Sequence, residues 1–184
     1  VGNIYLNVPT SEEMHYRRKW MLDPETMDYN AGYELDIAGY NKEDGTIRMN
    51  DEELKDWYYR WIDKEPNRYF AYIYDSDIEE PVGEIYYYLN EVIHSMGILI
   101  AAKYRGKGYS YKALSELQKV AFEKNGIDAL VDFIPLSREK AIYNFKKAGF
   151  VETGMEEKVL CFDKEQIAKQ LLITKDMFFY GFYS

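Results

Sequence analysis

Apolar and polar positions change their period several times along the chain, and each change marks an element. Residues 1–8, VGNIYLNV, alternate in places as a half-buried strand does. Thr10-Ser11-Glu12-Glu13 has the form of a capping box, with the Thr10 hydroxyl and the Glu13 carboxylate each able to satisfy a free amide. It predicts a helix to about Leu22, which Asp23-Pro24 should end because proline restricts the residue before it. Residues 23–49 show no period and are rich in Gly, Asn, Asp and Tyr, and so long a connection in a compact domain is often a binding loop. Asn50-Asp51-Glu52-Glu53 is a second capping signature. Leu54, Trp57, Tyr58, Trp61 and Ile62 then repeat on one helical face.

After Pro66 the pattern turns strand-like. Arg68 to Tyr74 and Val82 to Leu89 read as an antiparallel pair joined by Asp75-Ser76-Asp77. Ser95 to Ala101 is more continuously apolar and so more central. A helix with Leu114, Leu117 and Ala121 on one side ends at Asn125-Gly126, a good left-handed cap. Ile127 to Ile134 is another strand, closed by Pro135. Ser137 is placed to cap a short helix running to about Lys147, with Gly149 past its end. Phe150 to Thr153 and Lys158 to Phe162 look like further strands, Lys164 to Leu172 like a helix, and the last residues like an aromatic terminal strand. With no internal repeat and no low-complexity linker, residues 1–184 read as a single domain of α/β (α+β) class.

Composition narrows the function classes. Apolar residues make up 47% of the 184, enough for a core, and no window approaches the length of a membrane span. The N-terminus lacks the features of a signal peptide, and the single cysteine, Cys161, forms no internal disulfide. Together these predict a cytoplasmic protein without a membrane partner. A net charge of −9 argues against general nucleic-acid binding and is compatible with a basic substrate, although many proteins are acidic merely for solubility. Nothing in the composition excludes a homodimer.

One stretch breaks its local rules. Tyr104-Arg105-Gly106-Lys107-Gly108 interrupts an apolar strand, and a helix restarts at once. Glycines there admit an anion to bare amides at a helix start, with Arg105 and Lys107 adding charge, and a pyrophosphate is the natural occupant. An ordinary tight turn that happens to be basic is the plain alternative. The phosphate-loop pattern is absent, since no Lys-Ser or Lys-Thr follows, and Tyr111 stands where a dinucleotide fingerprint needs its third glycine. Arg105-x-x-Gly108-x-Ser110 resembles the acyl-CoA signature of the GNAT family of N-acetyltransferases, which is Arg or Gln, x, x, Gly, x, then Gly or Ala. Ser110 is a mild departure. "SREKAIYNFKKAGF" resembles the family's penultimate helix and terminal Gly-Phe, and the order of elements matches over nearly the whole chain.

The resemblance implies a mixed, mostly antiparallel sheet of six to seven strands with helices on both faces and a splayed central strand pair. It implies acetyl-CoA as co-substrate, no metal, and direct transfer to a primary amine in a ternary complex. Ile98, Leu99 and Ile100 should pair with the pantetheine arm. The amides of Arg105, Gly106, Lys107, Gly108, Tyr109 and Ser110 should hold the pyrophosphate, and the amide of Leu99 or Ile100 should meet the oxyanion. The family's proton-donating tyrosine corresponds to Phe145, which cannot donate, and Tyr143 should face elsewhere. Arg138 replaces an asparagine that contacts the cofactor, and is placed either to meet CoA or to pair with Asp132. Three residues compete as general base: His94 at a strand start, Glu84 inside an apolar strand, and Asp132 inside "ALVDFI". A water chain without a dedicated base is a fourth option.

The acceptor, a small-molecule or peptide amine, should enter near the first two helices. Tyr29, Asn30 and Tyr33 are pocket candidates there. Glu34, Asp36, Asp44 and Asp51–Glu53 either recruit a basic acceptor or, for the run at 51–53, simply favour a helix start. A non-catalytic acyl-CoA-binding sensor and a nucleotide-binding α/β protein are the rival readings.

Overall fold

In the computed structural model, which describes residues 1–181, seven strands join one sheet in the order β1-β2-β3-β4-β5-β7-β6. They are β1 (Ile4–Asn7), β2 (Arg68–Asp75), β3 (Gly83–Asn90), β4 (Ile93–Ile100), β5 (Ala129–Pro135), β6 (Val151–Cys161) and β7 (Lys164–Thr174). Every neighbouring pair is antiparallel except β4 and β5. That parallel pair meets only at His94–Leu130 and Ser95–Val131 and then splays apart, as expected.

The side-chain period of two assigns each face of the sheet to different helices. Phe70 and Tyr72 turn toward α1 (His15–Met21) and α3 (Asp51–Trp61), with Trp57 edge-on to Phe70 at 4.7 Å and Trp20 edge-on to Tyr72 at 5.3 Å. Ala71, Ile73, Ile85 and Tyr87 turn the other way, where α4 (Tyr109–Gln118) buries Leu114 and Leu117 and continues as a π-helical turn through Lys124. The Asn50 capping box forms as read, with Asn50 Oδ1 accepting from the Glu53 amide at 2.8 Å and Glu53 accepting from the Asn50 amide at 2.9 Å.

Several local expectations are corrected. At Thr10 only half the box forms: Glu13 accepts from the Thr10 amide at 3.0 Å, and the Thr10 hydroxyl caps nothing. Asp23 does more than end α1. It caps a further helix, α2 (Pro24–Met27), accepting from the Glu25 and Thr26 amides, with Pro24 in the first turn where its missing N–H costs nothing. Ser137 makes no cap for α5 (Glu139–Lys147). The two short strands after Gly149 are one long, bulged β6, and Lys164 to Leu172 is β7 rather than a helix. Its helix-favouring residues are overridden by pairing on both sides, made possible by a two-residue turn in which Phe162 (φ 48°) and Asp163 (φ 61°) are left-handed. The aromatic end is a short helix, α6 (Lys175–Tyr180), capped by Thr174 and packed through Phe178 on Phe122; residues 182–184 lie outside the described part. No helix among the described residues is long and apolar enough to cross a membrane.

Candidate active site

Where β4 and β5 part, two cavities open and share a wall. The larger, about 990 Å³, runs from Ile98–Ile100 past the glycine turn to Ser110, and along α5 from Ser137 to Phe145. The smaller, about 470 Å³, lies over the α1 and α3 face of the sheet. They meet at Tyr29, Ile98, Leu99, Arg138, Ala141 and Phe145.

The larger cavity suits a phosphate-bearing carrier. Gly106 (φ 77°) and Gly108 (φ 81°) are left-handed and line it, and a Cβ on Gly106 would meet nothing within 4 Å, so an anion can approach the turn's backbone without meeting a side chain. Gly108 is the N-cap of the ten-residue α4, whose first amides and positive dipole end lie at this turn. The strand edge agrees. Ala101 donates to the Val82 carbonyl at 2.9 Å, and ladder alternation therefore turns the Leu99 and Gly97 amides toward β3. Ile98 and Ile100 keep their polar groups on the splayed side, where β5 no longer pairs. Of the two amides proposed for the oxyanion, Ile100 faces the gap and Leu99 does not.

Arg105 sits differently from expectation, because its amide donates to Ala102 O at 3.2 Å and is not free for a pyrophosphate. The Arg105 guanidinium turns back onto α2, donating to Ile100 O (3.1 Å), Glu25 O (3.0 Å), Thr26 O and Asp28 Oδ1 (3.2 Å), so its charge fastens a loop. Tyr109 is buried with its hydroxyl on Asp75 Oδ2 at 2.7 Å, leaving only its amide for the turn. Lys107 reaches toward the Tyr104 ring at 5.6 Å. Tyr33 lines the larger cavity, bridged to Cys161, and not the smaller one that Tyr29 and Asn30 line.

The smaller cavity collects Glu84, Asp132, Tyr29 and Asn30 from the sequence candidates, together with Arg17, Trp57, Trp61, Tyr86 and Arg138. Glu84 is no outward-facing strand residue. It is 2% exposed and ion-paired through Oε1 to Arg17 Nη1, and its Oε2 has no partner. Burial pushes its carboxyl up while Arg17 pulls it down. Asp132 is pushed up to about 7 by burial, with the Arg138 charge opposing. Arg138 forms no ion pair with it; its guanidinium lies over the Tyr29 ring, 4.9 Å from the centroid. Burial and the Glu84 charge push the Tyr29 hydroxyl up to about 12. The Asn30 amide is spent on Gly45 O at 3.1 Å.

His94 joins neither cavity. It lies edge-on to Tyr87 at 5.4 Å, on the opposite face of the sheet from Glu84, and donates from Nε2 to Pro66 O at 3.2 Å, with burial pushing its pKa down. The acidic residues expected to recruit a basic acceptor are also elsewhere. Glu34 pairs with Lys42, Asp44 with the Thr46 hydroxyl at 2.7 Å, Asp51 with Arg18 at 2.7 Å, and Glu53 caps α3; Asp36 lines no cavity. Phe145 is 2% exposed against Phe150, and Tyr143 is 65% exposed. Among the described residues no three His, Cys, Asp or Glu side chains are grouped as metal ligands.

Sequence reasoning missed Arg17, Trp57 and Tyr86 as site residues. The only signal for Arg17 was indirect: Glu84 in an apolar strand demands a cation, without saying from where.

Comparison with known proteins agrees with this fold. A family model described as the acetyltransferase (GNAT) domain matches residues 3–151. This chain therefore belongs to the GNAT acetyltransferase family and is an acyltransferase. Among solved structures, the spermidine N-acetyltransferase from Vibrio cholerae in complex with CoA and spermine superposes with a TM-score of 0.74 at 16% identity, over 95% of this chain and 97% of that one. The spermidine/spermine N-acetyltransferase SpeG from Vibrio cholerae in complex with manganese ions gives 0.70 at 16% identity, over 95% and 94%. At such identity the likeness is one of fold. No curated protein sequence matches this chain.

Proposed function

We propose that the chain transfers the acetyl group of acetyl-CoA to a primary amine by direct attack, with both substrates bound together. The observation that carries this reading is the meeting of two cavities at Tyr29, Leu99, Arg138 and Phe145, one leading to the glycine turn and the other to two carboxylates. Acetyl-CoA, when bound, supplies an acyl group already activated as a thioester. The chain's residues do the rest. Amides from 106 to 110 donate to the pyrophosphate, and the Ile98 and Ile100 edge donates to the pantetheine arm and to the developing oxyanion.

Asp132 is the general base in this reading. Its carboxyl, near 7, is ionised often enough to accept the ammonium proton and basic enough to hold it. Tyr29 gives a proton to the leaving thiolate in place of the absent tyrosine at 145. Of the residues shared by both cavities it alone carries a proton it can release, since a guanidinium does not give up its proton in proteins. A single reduced cysteine, Cys161, fits a reducing compartment such as the cytoplasm.

Phe145 favours one other reading, a non-catalytic sensor of acyl-CoA with the same fold. Thiol release measured against a panel of amines separates the two. Release with at least one amine is expected, and tight CoA binding with no release from any amine would support the sensor.

A further inference from the structure

We infer that the acceptor is a monoamine on an aromatic or aliphatic body, not a polyamine, and that the free Oε2 of Glu84 is where its ammonium group is held. This rests on the acetyl-transfer reading and narrows its substrate class. Glu84 is 2% exposed, lines the smaller cavity, and leaves one buried carboxylate oxygen without a donor. Such an oxygen is costly in the free protein, and an entering ammonium gives it a charge-assisted hydrogen bond.

The charges of the lining permit one such group. Arg17 and Arg138 stand against Glu84 and Asp132, so two cations meet two acids and the wall is neutral even with both carboxylates ionised. Each entering ammonium therefore adds positive charge that this wall does not balance, and a second one would add it again beside Arg17 and Arg138. Arg68, 5.2 Å from the Trp61 ring, adds a further positive charge on that side. The acids of residues 34–53 offer no relief, being engaged in ion pairs and caps away from the cavity or, for Asp36, lining neither cavity.

What remains of the wall is apolar. Trp61 lies edge-on to Tyr86 at 5.3 Å and to Tyr88 at 5.9 Å, and all three are only half-buried. These rings present faces and edges to a flat or aliphatic body, at little cost in lost side-chain freedom. A volume of about 470 Å³ suits a single ring with a short aminoalkyl arm.

The test is CoA thiol release at about pH 8 with 2-phenylethylamine and with spermidine, kept at equal ionic strength. We expect kcat/KM for 2-phenylethylamine to exceed that for spermidine by about 30-fold, within the range that apolar pockets and charge mismatch produce. Spermidine as the better substrate would overturn the inference while leaving acetyl transfer intact. Glu84→Gln should raise KM for the aromatic amine about 10-fold, because the amide holds an ammonium less well. As that variant leaves Arg17 without its counter-charge and can fail to fold, Trp61→Ala provides a second reading: the preference over spermidine should fall at least about 5-fold. An unchanged preference there counts against the aromatic wall. If no amine releases thiol, acetyl transfer fails. Calorimetric titration of 2-phenylethylamine and spermidine into the CoA-saturated protein then decides the ligand class by itself, tighter binding of spermidine again overturning it.

Discussion

In the proposed function the two cavities would recognise their ligands by opposite means. The larger offers a carrier main chain, namely a strand edge at Ile98 and Ile100, two left-handed glycines, and the start of α4, all within thirteen consecutive positions from 98 to 110, with side chains from 137 to 145 completing its lining. The smaller is built from side chains that α1, α3, β3, β5 and α5 bring together, and its central ion pair joins Arg17 to Glu84 across 67 residues of sequence. Main-chain recognition must be contiguous, because a turn and a helix start cannot be divided among distant segments. Side-chain recognition has no such constraint. The first kind leaves a readable motif, and the second leaves isolated polar residues in apolar runs.

The sharpest way to test the contrast is to remove one side chain from the smaller cavity. Asp132→Asn should lower kcat/KM by about 10³-fold, the middle of the range for a lost general base, with CoA affinity unchanged. In the unaltered protein the rate profile should bend near pH 7, and the variant should lose that bend. Stability should move the other way. Because the folded pKa of about 7 lies above the ordinary 3.8, the native state keeps a proton that the unfolded chain releases. That contribution is complete below about pH 4 and is lost as pH rises through 7. The variant never ionises there, so at about pH 8 it should melt no lower than the parent, with its relative advantage smaller at about pH 5. A variant that melts much lower at pH 8 while keeping its rate would mean Asp132 is structural.

The complementary change belongs to the larger cavity. Gly108→Val places a β-branched side chain at φ 81° in the turn that lines this cavity. CoA affinity should fall by about 100-fold or more, while the backbone strain costs about 1–3 kcal/mol of stability. Isothermal titration and a thermal melt of the same sample measure both. Undiminished affinity would remove the turn from carrier binding altogether.

The same contrast explains what the sequence disclosed. The Asn50 box, the strands from Arg68 to Ile100, the glycine turn and the Gly149 stop are local and were legible. Lys164 to Leu172 was not, because Lys, Glu, Gln, Ala and Leu favour a helix until β5 and β6 pair with them. The turn that makes this pairing possible uses Phe162 and Asp163 in left-handed geometry without a glycine to announce it. His94 and Glu84 show the limit at the site. His94 opens a strand pattern and Glu84 interrupts one, and only the register, which puts Glu84 opposite Tyr72 and turns His94 toward Tyr87, assigns them to different faces.

Tyr29 stands where the two cavities join and should show an effect of intermediate size. Tyr29→Phe keeps the ring under Arg138 and removes only the hydroxyl. Since thiols are acidic leaving groups, protonation helps without being indispensable, and kcat should fall about 10-fold with KM for the amine nearly unchanged. Pre-steady-state thiol release is the direct measure. A rate that does not change would leave the thiolate to depart without an acid.

Within the glycine turn, only a small effect on carrier affinity is expected at the residue whose charge looks most suited to phosphate. Arg105 spends its guanidinium on the carbonyls of Ile100, Glu25 and Thr26 and on Asp28, binding α2 to the turn. Arg105→Ala should therefore cost stability, about 1.5–3 kcal/mol for lost bonds from a charged donor, while CoA affinity changes by less than about 3-fold. Its salt dependence should match that of the parent, because a guanidinium that touches no phosphate contributes nothing to screening there. A tenfold loss that deepens as salt is lowered in the parent alone would place the side chain on the pyrophosphate after all. The division between main-chain and side-chain recognition would then fail at the residue where it is most exposed to test.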